Sequence, residues 1–209
     1  MHSLFYKSCE ERAQIYDAFA AYYEQPAALT LNAAMLAKYL RRPIQLPVFD
    51  EPAAQDFHRL FSQEPAPLAP ITAAAYTRRK GLSRILRRSC AQTGLPLPAP
   101  QQALLLTTEF RLCAALLRAL AHNAGKDGSQ EQQLLLLCQT FLLKELQPWL
   151  SAHLQAAEQH AASACCQKMT ALLQEFMQRE YEDIRKLCIL QPKTAPARRR
   201  VRPCPSAAV

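Results

Sequence analysis

The side chains that could carry chemistry in this chain are eight cysteines and five histidines. No two cysteines have C-x-x-C spacing, and the adjacent Cys165 and Cys166 lack the second pair that a tetrahedral zinc site needs. His153 and His160 lie seven residues apart, on one face of a predicted helix, without an acidic residue at a ligand-like offset. We therefore expect no metal site. We also expect reduced thiols, because a chain with a substantial core needs no disulfides.

The motifs of common enzyme classes are missing from the sequence. It contains no G-x-S-x-G, no G-x-x-x-x-G-K-[ST], no G-x-G-x-x-G and no H-E-x-x-H. With only four glycines, the chain also offers little flexible backbone for an oxyanion hole. We expect a protein that is not an enzyme and binds no cofactor, although a cysteine and a histidine that meet only in the fold would escape this search.

The elements that must position these residues are predicted to be helices. Half of the residues are apolar, helix-forming residues are abundant, and no convincing period-two strand occurs. The sequence predicts an all-α, single-domain bundle of about eight to ten helices over residues 1–190. Asp50 is expected to cap one helix, and Ser129 with Gln132 another. The predicted helical spans are 8–24, 30–41, a span after Asp50, 72–79, 83–92, 101–122, 129–146, 148–162 and 163–189.

The most regular period lies in residues 141–176. Apolar side chains recur there at steps of three and four, which is typical of two consecutive amphipathic helices. Pro148 stands where a helix can begin but not continue, directly before the only tryptophan, Trp149, which we expect to be buried. The stretch follows the pattern F-x₃-(H/E)-L-x-P-W-x₃-h-L-x₂-A-x₂-H-A, with His153 at the position h.

This pattern, followed by a further amphipathic helix, resembles the TorD/DmsD family of cytoplasmic chaperones, which mature molybdenum-containing redox enzymes. The resemblance implies an all-helical protein that makes no product. It further implies that the partner is an apo-subunit of a molybdopterin oxidoreductase, or its twin-arginine leader peptide. Such a chaperone would hold that client before cofactor insertion or export.

The resemblance also points to a binding groove between two proline-rich loops, residues 65–70 and 94–100. In the family, a loop that reads roughly P-P-W-E-S-V-Y and a D-H-x-x-x-E-L signature line the groove for the client's leader. The first matches at Pro70 and, after a one-residue shift, at Tyr76; the second matches only at Glu109, because its Asp-His pair is absent. Prolines also fix backbone angles, so such loops present apolar side chains at low entropic cost. The predicted client-binding residues are Pro70, Ile71, Tyr76, Pro98 and Glu109.

A run of basic residues separates the two parts of this predicted site. Between Glu64 and Glu109 there is no acidic residue, whereas the basic residues there are Arg78, Arg79, Lys80, Arg84, Arg87 and Arg88. A rim of this charge would repel a twin-arginine leader, so we expect a client without that leader or one held mainly by apolar contact. Glu109 is the one carboxylate expected to pair with a client arginine. The alternative explanation of this basic run is a solvent-exposed helix face that has no binding role.

An alternative hypothesis from another class is a helical nucleic-acid-binding protein that uses the segment 78–88 and a basic tail. Residues 191–209 contain five basic side chains, no acidic side chain and no apolar period, so we expect them to form a disordered tail. Phosphate contacts would then dominate binding. The basic residues lack interleaved aromatic residues for base stacking, which argues against this hypothesis.

The remaining features concern location and assembly. The N-terminal residues contain no apolar segment typical of a signal peptide, and no apolar run approaches the length of a membrane span. We therefore expect a cytoplasmic protein without a membrane span. Members of the resembled family can exchange helices, so the expected state is a monomer or a helix-swapped dimer, with the turn 123–128 as a hinge.

Overall fold

The computed structural model of the chain covers most of the sequence before residue 191. The described residues are 2–28, 30–62, 66–78 and 81–190, without the side chains of 2–7 and 188–190. The predicted tail, residues 191–209, lies outside them. All regular structure in the described ranges is helical and no strand is formed there, so the all-α prediction is confirmed. The α-helices are α1 (His2–Glu24), α2 (Ala33–Leu40), α3 (Glu51–Phe61), α4 (Arg84–Thr93), α5 (Leu106–Asn123), α6 (Gly128–Thr140), α7 (Gln147–His160) and α8 (Ala164–Leu190).

Helices α6 and α7 are joined by a π-helical segment, Phe141–Leu146, into one continuous helix. The Gln147 N–H donates to the carbonyl of Leu142, five residues back, which widens the turn just before Pro148. A proline inside a regular α-helix would clash with the carbonyl four residues back, and the wider turn relieves this conflict. The predicted break before Pro148 is therefore absent. The described residues form seven uninterrupted helices, and not the predicted eight to ten.

Side-chain caps fix several helix starts. The carboxylate of Asp50 accepts a hydrogen bond from the backbone N–H of Ala53 (3.0 Å), as predicted. The predicted cap of α6 is wrong, because Asp127 and not Ser129 occupies that position. The Asp127 carboxylate accepts from the backbone N–H of Ser129 (2.9 Å). A charged carboxylate is a stronger acceptor than a hydroxyl, so the aspartate starts the helix earlier.

The predicted helix over 72–79 is also wrong, since only the 3₁₀ turn Ala73–Ala75 forms. Pro70 and Gly81, which has a left-handed φ of 79°, interrupt a helical backbone on either side of this stretch. The backbone pairs elsewhere, and the Leu106 N–H donates to the carbonyl of Ile71 (2.9 Å). This tertiary contact overrides the helix propensity of the alanines.

The core forms where α1, α5 and α8 meet. The Tyr16 ring lies 5.0 Å from the Phe176 ring and 5.7 Å from the Phe110 ring, measured between centroids. Helix α5 buries ten of its 18 side chains. Its buried residues are Leu106, Thr107, Glu109, Phe110, Leu112, Cys113, Ala114, Leu116, Leu117 and Leu120. None of the described helices is long and apolar enough to cross a lipid bilayer.

A buried ion pair connects α1, α2 and α8. The Arg12 guanidinium donates from Nε to Oε1 of Glu180 (2.6 Å), and both side chains are fully enclosed. The same carboxylate accepts the hydroxyls of Tyr39 (2.5 Å) and Tyr16 (3.1 Å). Burial disfavours the charged guanidinium, but the adjacent Glu180 carboxylate outweighs this and raises the pKa of Arg12. The Arg12 guanidinium therefore stays charged, and loss of Glu180 alone would remove the carboxylate that it pairs with in the core.

We expect Glu180→Gln to lower the free energy of unfolding by about 3–5 kcal/mol, because the Arg12 charge would stay buried without its counter-charge. Urea unfolding followed by circular dichroism measures this loss. Glu182→Gln, on an exposed position of the same helix, is the matched control and should cost less than about 0.5 kcal/mol. Equal stability of the two variants would show that the ion pair contributes nothing to the fold.

Candidate functional site

The two proline-rich loops that the sequence singled out are joined at their bases. Thr72 and Leu105 form an isolated antiparallel bridge, next to the hydrogen bond from Leu106 to Ile71. Gly81 also packs closely on the second loop, since a Cβ at this position would lie 3.3 Å from the Cβ of Pro100. The backbone that follows the first loop therefore packs against the end of the second loop and the residues after it.

The first loop is fastened to the core at Pro70. The carbonyl of Pro70 accepts a hydrogen bond from Nδ1 of His153 on α7 (3.0 Å). A carbonyl can only accept, so Nδ1 carries the proton in the neutral ring, and Nε2 accepts from the hydroxyl of Tyr23 on α1 (2.9 Å). One imidazole thus joins the loop to two helices. The backbone N–H of Ala69 adds a further link by donating to the carbonyl of Leu60 on α3 (2.7 Å).

His153 is held in its neutral form by its surroundings. Burial lowers the pKa of His153 to about 4, because no water is left to solvate an imidazolium. The neighbouring rings are those of Tyr23, Phe61, Tyr76 and Trp149. Both ring nitrogens of His153 have protein partners, which makes this histidine a structural tie and leaves no lone pair for a metal ion.

Tyr76 and Glu109 meet the same tryptophan from two sides. The Tyr76 ring stacks on the ring of Trp149 at 6.1 Å and 22°. The indole Nε1–H of Trp149 donates to Oε2 of Glu109 (3.1 Å), and both of these side chains are fully buried. Trp149 is therefore enclosed, as the sequence predicts. Glu109 does not face a groove, so the predicted pairing with a client arginine is not available to it.

Sequence reasoning misplaced Glu109 because it took the one carboxylate of a basic stretch to be available to a client. Glu109 lies between Leu106 and Cys113, at helical offsets of three and four residues. A carboxylate at such a position is exposed only when the helix has a free face, and α5 is covered on most sides. The signal that could have located Glu109 is Trp149 itself, since a buried indole N–H needs an acceptor.

Of the other predicted residues, Pro70, Ile71, Tyr76 and Pro98 are half-buried. The Tyr76 hydroxyl is enclosed and has no hydrogen-bond partner among the described residues, and burial raises the pKa of Tyr76 to about 12. Pro98 lies two residues before Pro100, the residue that contacts Gly81. The structure thus brings Pro70, Ile71 and Tyr76 together at the base of the first loop and places Pro98 on the second loop.

The exposed part of the loops is apolar. Large apolar side chains with substantial exposure in the described part of the chain are Val48, Leu68, Leu95, Leu97 and Leu136. Three of these five belong to the proline-rich loops: Leu68 is 39% exposed, Leu95 is 38% exposed and Leu97 is 54% exposed. Sequence reasoning included the second loop but missed Leu68. The nearby prolines, Pro67 and Pro70, were a signal that could have indicated an exposed loop position at Leu68. We call Leu68, Leu95 and Leu97 the loop leucines.

The described residues give little support for a metal site or a reactive cysteine. No group of three or more histidine, cysteine or acidic side chains there is placed to hold a metal ion. The six cysteines whose side chains the structure describes are buried, and burial raises the pKa of Cys165 to about 11, so this thiol stays protonated at neutral pH. The arrangement provides an anchored apolar surface on which another molecule can bind.

Comparison with protein-family models, curated proteins and solved structures finds no match to this chain. The resemblance in residues 141–176 therefore depends on the residues of its pattern. Two of them, Trp149 and His153, are the side chains that contact the base of the first loop. A third, Pro148, lies in the first turn of α7, the helix that carries both.

We expect Trp149→Ala to cost about 3–5 kcal/mol of unfolding free energy, because it leaves a cavity beneath Tyr76 and removes the indole N–H that donates to Glu109. Trp149→Phe keeps most of the packing and should cost only about 1–3 kcal/mol. Urea unfolding measures both variants. A cost below about 1 kcal/mol for Trp149→Ala would contradict the burial of this side chain.

Acid should weaken the fold through His153. Its folded pKa of about 4 lies below its ordinary value of 6.5, so the unfolded chain binds more protons between these values. Stability from the neutral ring is complete above pH 6.5 and is lost as pH falls towards 4. The loss should reach roughly 3 kcal/mol.

The measurement is urea unfolding at several pH values in this window. His153→Asn, which retains a donor near the Pro70 carbonyl but does not titrate, should show a shallower decline than the wild type. Parallel curves for the two proteins would mean that His153 takes up no proton on unfolding.

Proposed function

We propose that this protein is a cytoplasmic chaperone that binds an apo-subunit of a molybdopterin oxidoreductase before cofactor insertion or export. It acts by reversible binding, without chemistry. The observation that carries the proposal is the contact of the pattern residues Trp149 and His153 with the base of a proline-rich loop whose tip is apolar and exposed. The residues that suggest the family are thus the residues that support the candidate binding surface.

The physical properties of the loops favour the capture of a client. Proline backbones and the tie at Pro70 restrict the loops before binding, so little conformational entropy is lost when a client docks. Burial of each half-exposed loop leucine would contribute about 1 kcal/mol. Three such contacts cannot give tight binding alone, which suits a chaperone that must release its client.

The charge near the loops argues for a particular kind of client. Arg78, Arg84, Arg87 and Arg88 are exposed, and Glu109, the one carboxylate of residues 66–109, is buried. A twin-arginine leader would meet repulsion and no exposed counter-charge in this stretch. The proposal therefore favours a client that is held by apolar contact over one that is recognised by its arginine pair.

The alternative, binding of nucleic acid, draws on the same exposed arginines. Phosphates would pair with them in a salt-dependent way. The residues beside these arginines are aliphatic, namely Ile85 and Leu136, and provide no ring on which a base could stack. We therefore place nucleic-acid binding second.

Affinity capture from the native host tests the proposal. Wild-type protein should enrich a subunit of a molybdopterin oxidoreductase, identified by mass spectrometry. The double variant Leu95→Ser with Leu97→Ser should lose most of it, because exposed leucines can be replaced without loss of the core. Val48→Ser, which changes another exposed apolar residue (80% exposed), is the matched control and should capture as the wild type does.

The outcomes test the proposed class of protein and the proposed binding site independently. Equal capture by the loop variant would remove Leu95 and Leu97 from the binding site and leave the chaperone proposal standing. Failure of the wild type to enrich any molybdopterin oxidoreductase subunit would overturn the proposal. Enrichment of nucleic acid that is lost at high salt would favour the alternative.

A further inference from the structure

A second surface of different chemistry lies between α4 and α6. A cleft of about 140 Å³ is lined by Arg84, Ile85 and Arg88 of α4 and by Gln133, Leu136 and Leu137 of α6. Leu136 is 54% exposed, an unusual position for a leucine in the middle of a packed helix. The space is sufficient for one aliphatic side chain. We call it the α4–α6 cleft.

The charge at the α4–α6 cleft has no counter-charge in the described part of the chain. Helix α4 contains Arg84, Arg87 and Arg88, all exposed, and no acidic residue. No ion pair or hydrogen bond from these three guanidinium groups to a described residue is formed. The side of the cleft formed by α6 contributes Gln133 and Thr140, which are neutral.

Three other arginines at the surface do pair with carboxylates. Arg42 pairs with Glu175, Arg111 with Glu24, and Arg118 with both Asp17 and Glu10. These pairs join segments that are far apart in the sequence. The arginines of α4 have no such carboxylate partner in the described part of the chain.

The position of the arginines on α4 adds to the excess positive charge. They occupy the first five residues of the helix, where the helix dipole already contributes a partial positive charge. Arg84 and Arg88 lie one turn apart and both line the cleft together with Leu136. A ligand with two carboxylates at similar spacing and an apolar group between them would complement this surface.

We propose that the α4–α6 cleft binds an acidic amphipathic peptide segment of a partner protein. An apolar side chain of the segment covers Leu136 and Ile85, and its carboxylates pair with Arg84 and Arg88. A helical segment with acidic residues at i and i+4 presents this combination on one face. Nucleic acid would satisfy the arginines but would leave the exposed leucine without an apolar partner. This inference goes beyond the proposed function and does not require the client to be a molybdoenzyme.

Fluorescence anisotropy with a labelled synthetic peptide tests the inference on the full-length protein. The probe is an amphipathic peptide of about 16 residues with leucine and glutamate at helical spacing. The wild type should bind it with a dissociation constant in the micromolar range, and Arg84→Glu with Arg88→Glu should weaken binding at least about tenfold. Leu136→Ser should weaken it by about three- to tenfold, since only the apolar contact is lost.

The matched control is Lys168→Glu with Arg185→Glu, which makes the same change in net charge at exposed positions of α8. This control should bind within about twofold of the wild type, because neither residue lines the α4–α6 cleft. Equal weakening by both double variants would mean that only net charge matters and would overturn the inference.

Two further results would also overturn it. One is a lack of binding by the wild type at millimolar peptide. The other is tighter binding of a labelled single-stranded oligonucleotide than of the peptide, with loss of both in Arg84→Glu with Arg88→Glu. Neither result bears on the capture experiment with Leu95 and Leu97, so the two proposals fail separately.

Discussion

The neutral imidazole of His153 fixes the position of the first loop relative to the helices of this protein. His153 can serve the Pro70 carbonyl and the Tyr23 hydroxyl together only as the Nδ1-protonated tautomer. Both contacts need α7 to present this residue towards α1 and the first loop at once. Trp149, one turn earlier, supports the same loop through Tyr76 and reaches α5 through Glu109. The loop tips can be exposed and apolar because their bases are fixed in this way.

Features that depend on neighbours in the sequence could be predicted. The all-α class follows from composition and period, and the cap at Asp50 from its place before a helical stripe. The burial of Trp149 followed from the helical period of residues 141–176. The two loops were located because prolines end helices wherever they occur in a run.

Features that depend on distant residues could not be predicted. Arg12 and Glu180 are 168 positions apart, and nothing local to either marks it as a partner in a buried pair. Glu109 has the local pattern of a surface residue, and its burial depends on how many helices surround α5. The alanines at 73–75 favour a helix locally, and the bridge between Thr72 and Leu105 opposes one. In each case a tertiary contact outweighs a local preference.

The π-helical segment fixes the rotational phase between the two halves of the continuous helix formed by α6 and α7. One residue more or less in a helix turns everything beyond it by about 100° around the axis. The wider turn of Phe141–Leu146 absorbs one extra residue, so the helix continues beyond it with little change of phase and Trp149 and His153 face the loop. Regular α-helical bonding over the same number of residues would turn both side chains away from the loop. The loop contacts therefore depend on the wide turn of this segment, and not on the identity of its exposed side chains.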